Sequence, residues 1–262
     1  MMQVDLILFA GQSNMAGRGV TSERWPEKAP PVIDGAGWEY RAVSAPGRLW
    51  PITEPFGVEE NRPEGIDDRW GEVRAKTGSL VSAFVNAYYR ECGVPVIAVS
   101  ASKGGSAIAE WQPGGAYLTD AMTRLSDARQ WLIVNGYEIR HVFCAWCQGE
   151  TDGDLGTSEA VYTQQFDAML AEMLGNGIER LLQIRIGQCN IPGAETRYQQ
   201  MIKWQDRLAA TRENVLQTSV CFAEMRDRSQ MKDAFHYYQT AYNEAGEEAG
   251  RNAAKASKNA DC

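Results

Sequence analysis

The strongest constraint on the fold lies near the start of the chain, where Val4-Asp5-Leu6-Ile7-Leu8-Phe9-Ala10 runs into Gly11-Gln12-Ser13-Asn14-Met15-Ala16-Gly17. The apolar run predicts a buried strand, and the small and polar residues behind it predict a sharp turn. Ser13 then falls at the tip of that turn, where a helix can begin. Its own N–H and those of its neighbours are left without intrahelical acceptors. Two roles fit that position. The hydroxyl can be a nucleophile beside backbone dipoles that receive an oxyanion, or it can be an ordinary helix N-cap. The segment alone does not separate them.

A strand–helix rhythm continues along the chain. Helices are predicted over about 78–89, 117–135, 158–174 and 196–212, and an Ala-rich one from about Gln239. Between them lie apolar runs at 94–100, 139–147 and 180–187, with Val220-Cys221-Phe222 as a short last strand. Strands this continuously apolar suit a parallel sheet covered on both faces. With 262 residues and 44% hydrophobic content, a single α/β domain over 1–262 can bury a sizeable core. One irregular excursion interrupts the rhythm at about 18–76, rich in Pro, Gly and Trp (Trp25, Trp38, Trp50, Trp70). Loops of this length are usually functional. Its tryptophans either form a stacking wall for a sugar ring or pin the loop to the body, and pinning is the expectation for any one of them.

A net charge of -8 and a pI near 5.0 argue against nucleic acid or an anionic membrane as the main partner. No apolar run approaches the ~18 residues of a membrane span, and no basic stretch with a cleavage site opens the sequence. It reads as cytoplasmic as written, or as a secreted protein whose signal was removed. The oligomeric state is not legible. Cys144-Ala145-Trp146-Cys147 has the spacing of a redox or zinc knuckle. It lies inside a predicted strand, however, where side chains three apart face opposite ways. Buried free thiols are expected there.

Three later segments carry chemistry. Ser102-Lys103-Gly104-Gly105-Ser106 follows the strand at 94–100, and its glycines allow an N–H, that of Gly105 or Gly104, to turn toward a ligand. A plain βα turn is the alternative. Trp111-Gln112 closes this loop and is expected to border a pocket. Gln148-Gly149-Glu150-Thr151-Asp152-Gly153-Asp154 crowds three acids after the strand at 139–147. These fit a cation site, acid/base carboxylates or helix caps. Finally, Asp233 and His236 stand three apart before the last helix. Of the two histidines, His141 heads a strand at the opposite end from the expected active edge and reads as structural. A serine nucleophile needs an imidazole to take its proton and a carboxylate to orient that imidazole, and His236 with Asp233 provides both.

Gly11-Gln12-Ser13-Asn14-Met15-Ala16-Gly17, Lys103-Gly104-Gly105, Gln148-Gly149-Glu150-Thr151-Asp152 and Asp233-x-x-His236 occur in the order seen in SGNH-type hydrolases. Within them the chain resembles carbohydrate esterase family 6 and the sialate O-acetylesterase family, over essentially its full length. The resemblance implies a flavodoxin-like three-layer α/β/α sandwich with a mostly parallel five-stranded sheet. It implies Ser13 as nucleophile, His236 as base and Asp233 as the orienting acid, with Glu150 as rival. The N–H groups of Ser13 and Gly105 and the side chain of Gln148 would form the oxyanion hole, although many SGNH hydrolases have asparagine where Gln148 stands. Gln12 and Trp111 are the substrate-binding candidates. The implied reaction is removal of an O-acetyl group from a carbohydrate (acetylxylan, another acetylated glycan or a sialic acid) through an acetyl-enzyme, with no metal or cofactor. A general short-chain esterase or lipase, or a non-catalytic carbohydrate-binding protein, remains the alternative. Arg18, Arg69 and Arg74 are candidates to meet an anionic sugar.

Overall fold

The computed structural model describes residues 2–60 and 76–260; Arg69, Trp70, Arg74 and Cys262 lie outside the described residues. Strand β1 (Met2–Gly11) runs between two parallel partners, β4 (Val96–Ser100) and β5 (Tyr137–Cys147). Beyond β5 lie β6 (Arg180–Ile184) and β7 (Val215–Ser219), also parallel. Side chains along β1 alternate between the faces. Leu6, Leu8 and Ala10 join a core under α3 (Ala116–Val134), α5 (Glu159–Gly175) and α6 (Glu195–Thr211). Ile7 and Phe9 point the other way, into a core under α2 (Val81–Cys92) and α7 (Gln239–Ala260). Burying each large apolar side chain contributes about 1.5–3 kcal/mol. On both faces that burial, more than helix propensity, holds the helices in place.

Five strands are implied by the family resemblance; the sheet has seven, ordered β3-β2-β4-β1-β5-β6-β7. The two additions come from the excursion that the sequence reads as a loop. Strand β2 (Gly37–Tyr40) pairs parallel with β4, and β3 (Leu49–Pro51) pairs antiparallel with β2. Neither has an apolar period of its own, since Gly37, Glu39 and Pro51 interrupt it. Pairing with β4 supplies what local propensity lacks. A second correction concerns 220–222. The strand ends earlier, at Ser219, and Cys221–Glu224 form a 3-10 turn from which Phe222 enters the core. The polar residues Thr218 and Ser219 are accommodated in the strand because each hydroxyl finds an acceptor, Gln183 O and Glu248 Oε2. The acids at 150–154 lie within α4 (Glu150–Leu155).

Cys144 and Cys147 face opposite cores, as their spacing within a strand predicts, and all five described cysteines are free. The described tryptophans of the excursion each have a partner in the protein. Trp25 Nε1 donates to Ser229 O, Trp38 packs on the α3-side core, and Trp50 lies beneath the guanidiniums of Arg41 and Arg48. His141 pairs with Glu179 at 2.8 Å, near the amino end of β5. Among the described residues, no helix is long and apolar enough to cross a membrane.

Candidate active site

The carboxyl ends of β1, β4 and β5 bring the predicted chemistry together. Gly11 closes β1 with φ of 133°, and a Cβ there would lie 2.1 Å from the Cys147 carbonyl oxygen. Only glycine permits that approach. Gln12 N–H then donates to the same oxygen at 2.8 Å, and the chain turns at once into the one-turn helix α1 (Ser13–Ala16). Ser13 is thereby set on the sheet edge with its N–H ahead of any intrahelical acceptor.

His236 reaches Ser13 from the other end of the sequence, its Nε2 2.9 Å from Ser13 Oγ. The ring's Nδ1 lies 2.9 and 3.0 Å from the two oxygens of Asp233. Since an ionised carboxylate only accepts, Nδ1 carries the hydrogen and Nε2 is free to accept the serine proton. Asp233 is fixed by its own turn, with Oδ1 taking the N–H groups of Phe235 and His236 at 2.8 Å each. Burial alone would raise the pKa of this carboxyl. The hydrogen bonds from the His236 ring and from the two backbone amides outweigh it, so the group sits well below the ordinary carboxylate range.

Glu150, the rival acid, is held elsewhere. Its Oε1 accepts from Asn14 Nδ2 at 2.5 Å, and burial pushes its carboxyl pKa up. Asn14 is fully buried and joins four elements. Besides Glu150 at the start of α4, its Nδ2 donates to Phe235 O at 3.2 Å, and its Oδ1 accepts from Tyr242 of α7 at 2.6 Å. Sequence reading quoted Asn14 only as part of a motif. Its one local signal was a polar residue directly after the serine.

The proposed oxyanion donors divide. Gly105 turns through φ of 69° beside the site, and Lys103 N–H anchors that turn to Gly11 O at 2.7 Å. Gln148 is different. It is 1% exposed, and its Nε2 donates to Ser106 O at 3.2 Å and to Asp152 Oδ2 at 2.5 Å. Its Oε1 accepts from Tyr162. Both amide hydrogens are committed, so in this arrangement the side chain braces the glycine turn instead of facing Ser13. Trp111 and Gln12 are also corrected. Trp111 is 0% exposed, stacks edge-on against Trp146 and donates to Ser106 Oγ at 2.9 Å. It supports the same turn from within the core. Gln12 is buried, with Oε1 accepting from Gly149 and Thr151 N–H, which joins β1's turn to α4. Indole and amide groups that look like ligand contacts in a sequence are here spent on the protein's own buried polar atoms. Asp152 accepts from Thr157 Oγ1 close by and from Ile108 N–H in the distant segment that follows the glycine turn. No cluster of three metal-ligating side chains occurs among the described residues.

A mostly parallel sheet covered on both faces, with a serine at the end of its first strand bonded to a histidine that an aspartate three residues earlier holds, has the architecture of the SGNH-type α/β hydrolases. The sequence narrows the class. Residues 3–255 match the family described as carbohydrate esterase, sialic acid-specific acetylesterase, and the chain belongs to that family. Among solved structures, a protein from Arabidopsis thaliana is similar over 99% of each chain, with 21% identity and a TM-score of 0.67. A carbohydrate acetylesterase from Xanthomonas citri is similar over 96% of this chain and 57% of its own, with 16% identity and a TM-score of 0.58. Among curated proteins, none matches the chain in sequence.

Proposed function

We propose that the protein removes acetyl groups from sugar hydroxyls through an acetyl-Ser13 intermediate. The observation that carries this reading is the hydrogen-bonded series from Ser13 Oγ through His236 to Asp233, on a chain of a carbohydrate esterase family. His236 Nε2 takes the hydroxyl proton as Ser13 Oγ attacks the acetyl carbonyl, and Asp233 stabilises the imidazolium that forms. The N–H groups of Ser13 and Gly105 receive the oxyanion. His236 then protonates the departing sugar oxygen. Water repeats the sequence in reverse roles, releasing acetate and restoring Ser13. An oxyanion donor of this kind is worth about 10²–10³ in turnover.

The test is acetate release from acetylated xylan, acetylated mannan and O-acetyl sialosides, beside hydrolysis of 4-nitrophenyl acetate. Wild-type protein is expected to turn over the aryl acetate and at least one glycan. Ser13→Ala is expected to lose both activities while melting at the wild-type temperature. Wild-type turnover in Ser13→Ala would refute the assignment. Faster cleavage of octanoate than acetate esters would move the reading to a lipase.

A further inference from the structure

A cavity of about 480 Å³ opens where the chain leaves the nucleophile helix. We propose that it holds the sugar rings next to the acetylated one, so that the enzyme acts on an oligosaccharide chain in preference to a lone acetylated sugar. The proposal rests on the esterase reading above and extends it to the shape of the substrate.

Position is the first argument. One wall is the segment Gly19–Thr21, which continues directly from α1. Gly17 N–H donates to Ser13 O, Thr77 N–H to Gly17 O, and Gly19 N–H to Gly78 O, so this wall and the facing one at 77–78 are laced to the serine turn. The floor is Gln239, the first residue of α7, whose N–H donates to Val20 O. Gln239 follows His236 by three residues, and three residues span at most roughly 11 Å. The cavity therefore lies within the reach of a short saccharide whose ester sits at Ser13. Both α2 and α7 begin at this carboxyl edge of the sheet, which keeps the cavity on the same side of the molecule as the triad.

The second argument is which polar groups remain available. The carboxylate of Glu54, also in the lining, is filled by Ser79 and Ser82 hydroxyls and by the N–H groups of Phe56, Ser79 and Ser82. Gln239 Nε2 is spent on Ser79 O and Asn243 Oδ1. By contrast, the hydroxyls of Thr21 and Thr77 and the ammonium of Lys28 are exposed and have no protein hydrogen bond among the described residues. These groups surround a space in which Val20 and Ala29 supply the only apolar side chains. Such a mixed lining, free hydroxyls beside aliphatic carbon, matches the alternating hydroxyls and C–H faces of a glycan. The volume is also in the ordinary range for a small ligand, roughly 300–1,000 Å³.

The probes are acetylated xylo- and manno-oligosaccharides of increasing length, with 4-nitrophenyl acetate as the substrate too small to reach the cavity. In the wild type, kcat/KM is expected to rise with chain length in at least one series. In Thr21→Val/Thr77→Val and in Ala29→Trp, which fills the space, the ratio of oligosaccharide to aryl-acetate kcat/KM is expected to fall about tenfold, mainly through KM. A second measurement needs no turnover. Titration of Ser13→Ala with the deacetylated oligosaccharide is expected to show binding that Ala29→Trp abolishes. Chain-length-independent rates, or an unchanged ratio in the variants, would overturn the subsite while leaving the esterase reading intact. Absence of aryl-acetate hydrolysis in the wild type would instead strike at the esterase reading, and the titration would then decide the subsite alone.

Discussion

The side-chain amide of Asn14 donates to the carbonyl of Phe235 at 3.2 Å, and so joins the residue after the nucleophile to the residue before the base. The same side chain binds Glu150 and Tyr242, so the serine turn, the histidine loop, α4 and α7 share one buried junction. Glu150 serves the site through that junction, and Asp233 serves it by direct contact with His236.

Asn14→Ala removes this junction. It leaves a buried carboxylate, a tyrosine hydroxyl and a carbonyl without their partner. Each such loss costs about 1–3 kcal/mol. For a domain of this size, at roughly 2–4 °C per kcal/mol, the melting temperature is expected to fall by at least about 6 °C, with a drop in kcat on aryl acetate at temperatures where the variant is folded. Thermal unfolding followed by circular dichroism, alongside initial rates, measures both. An unchanged melting temperature would mean that the junction carries no weight.

The two candidate acids are separated by their kinetics. Asp233→Asn is expected to lower kcat by about 10⁴, because the amide no longer fixes the imidazole tautomer. Glu150→Gln keeps an oxygen for Asn14 and is expected to lose far less. The reverse order of severity would make Glu150 the triad acid.

Gln148→Ala distinguishes a brace from an oxyanion donor. Losing a brace takes one partner each from Asp152, Ser106 O and Tyr162 in the interior, so stability falls by about 1–3 kcal/mol together with activity. A donor would cost about 10²–10³ in kcat and leave the melting temperature in place. The present contacts predict the first pattern, and urea unfolding measured beside turnover will show which holds.

Acid titration gives opposite signs for the two carboxyls. The folded pKa of Asp233 lies below its ordinary 3.8, so its contribution to stability is full above that pH and is lost as the pH falls toward the folded value. Burial raises the folded pKa of Glu150 above 4.5. Its contribution is therefore full below 4.5 and is lost as the pH rises through the folded value. Urea midpoints from acid to neutral pH are expected to show Asp233→Asn approaching the wild type in acid. Glu150→Gln should gain on the wild type toward neutrality. Parallel curves for all three proteins would contradict both assignments.

The sequence made the serine turn and the Asp233–His236 pair legible because each is a local pattern. An apolar run stopped by glycine forces a turn, and a carboxylate three residues before a histidine can close on it within one loop. Strand β2 was not legible, since its pairing with Val96–Ala98 of β4 is a contact between distant segments that leaves no period behind. Trp111, Gln12 and Gln148 misled for a related reason. A polar or aromatic residue beside a site reads as a ligand contact until its buried partners are known, and Ser106, Asp152 and Gly149 lie in other segments.

Ser13 and His236 are 223 positions apart, and Tyr242 of α7 docks on Asn14, which also holds Phe235 of the His236 loop. A growing polypeptide on the ribosome therefore carries Ser13 long before His236 is made. On the esterase reading proposed above, acyl transfer waits until α7 has settled against α2 and the His236 loop has met Ser13.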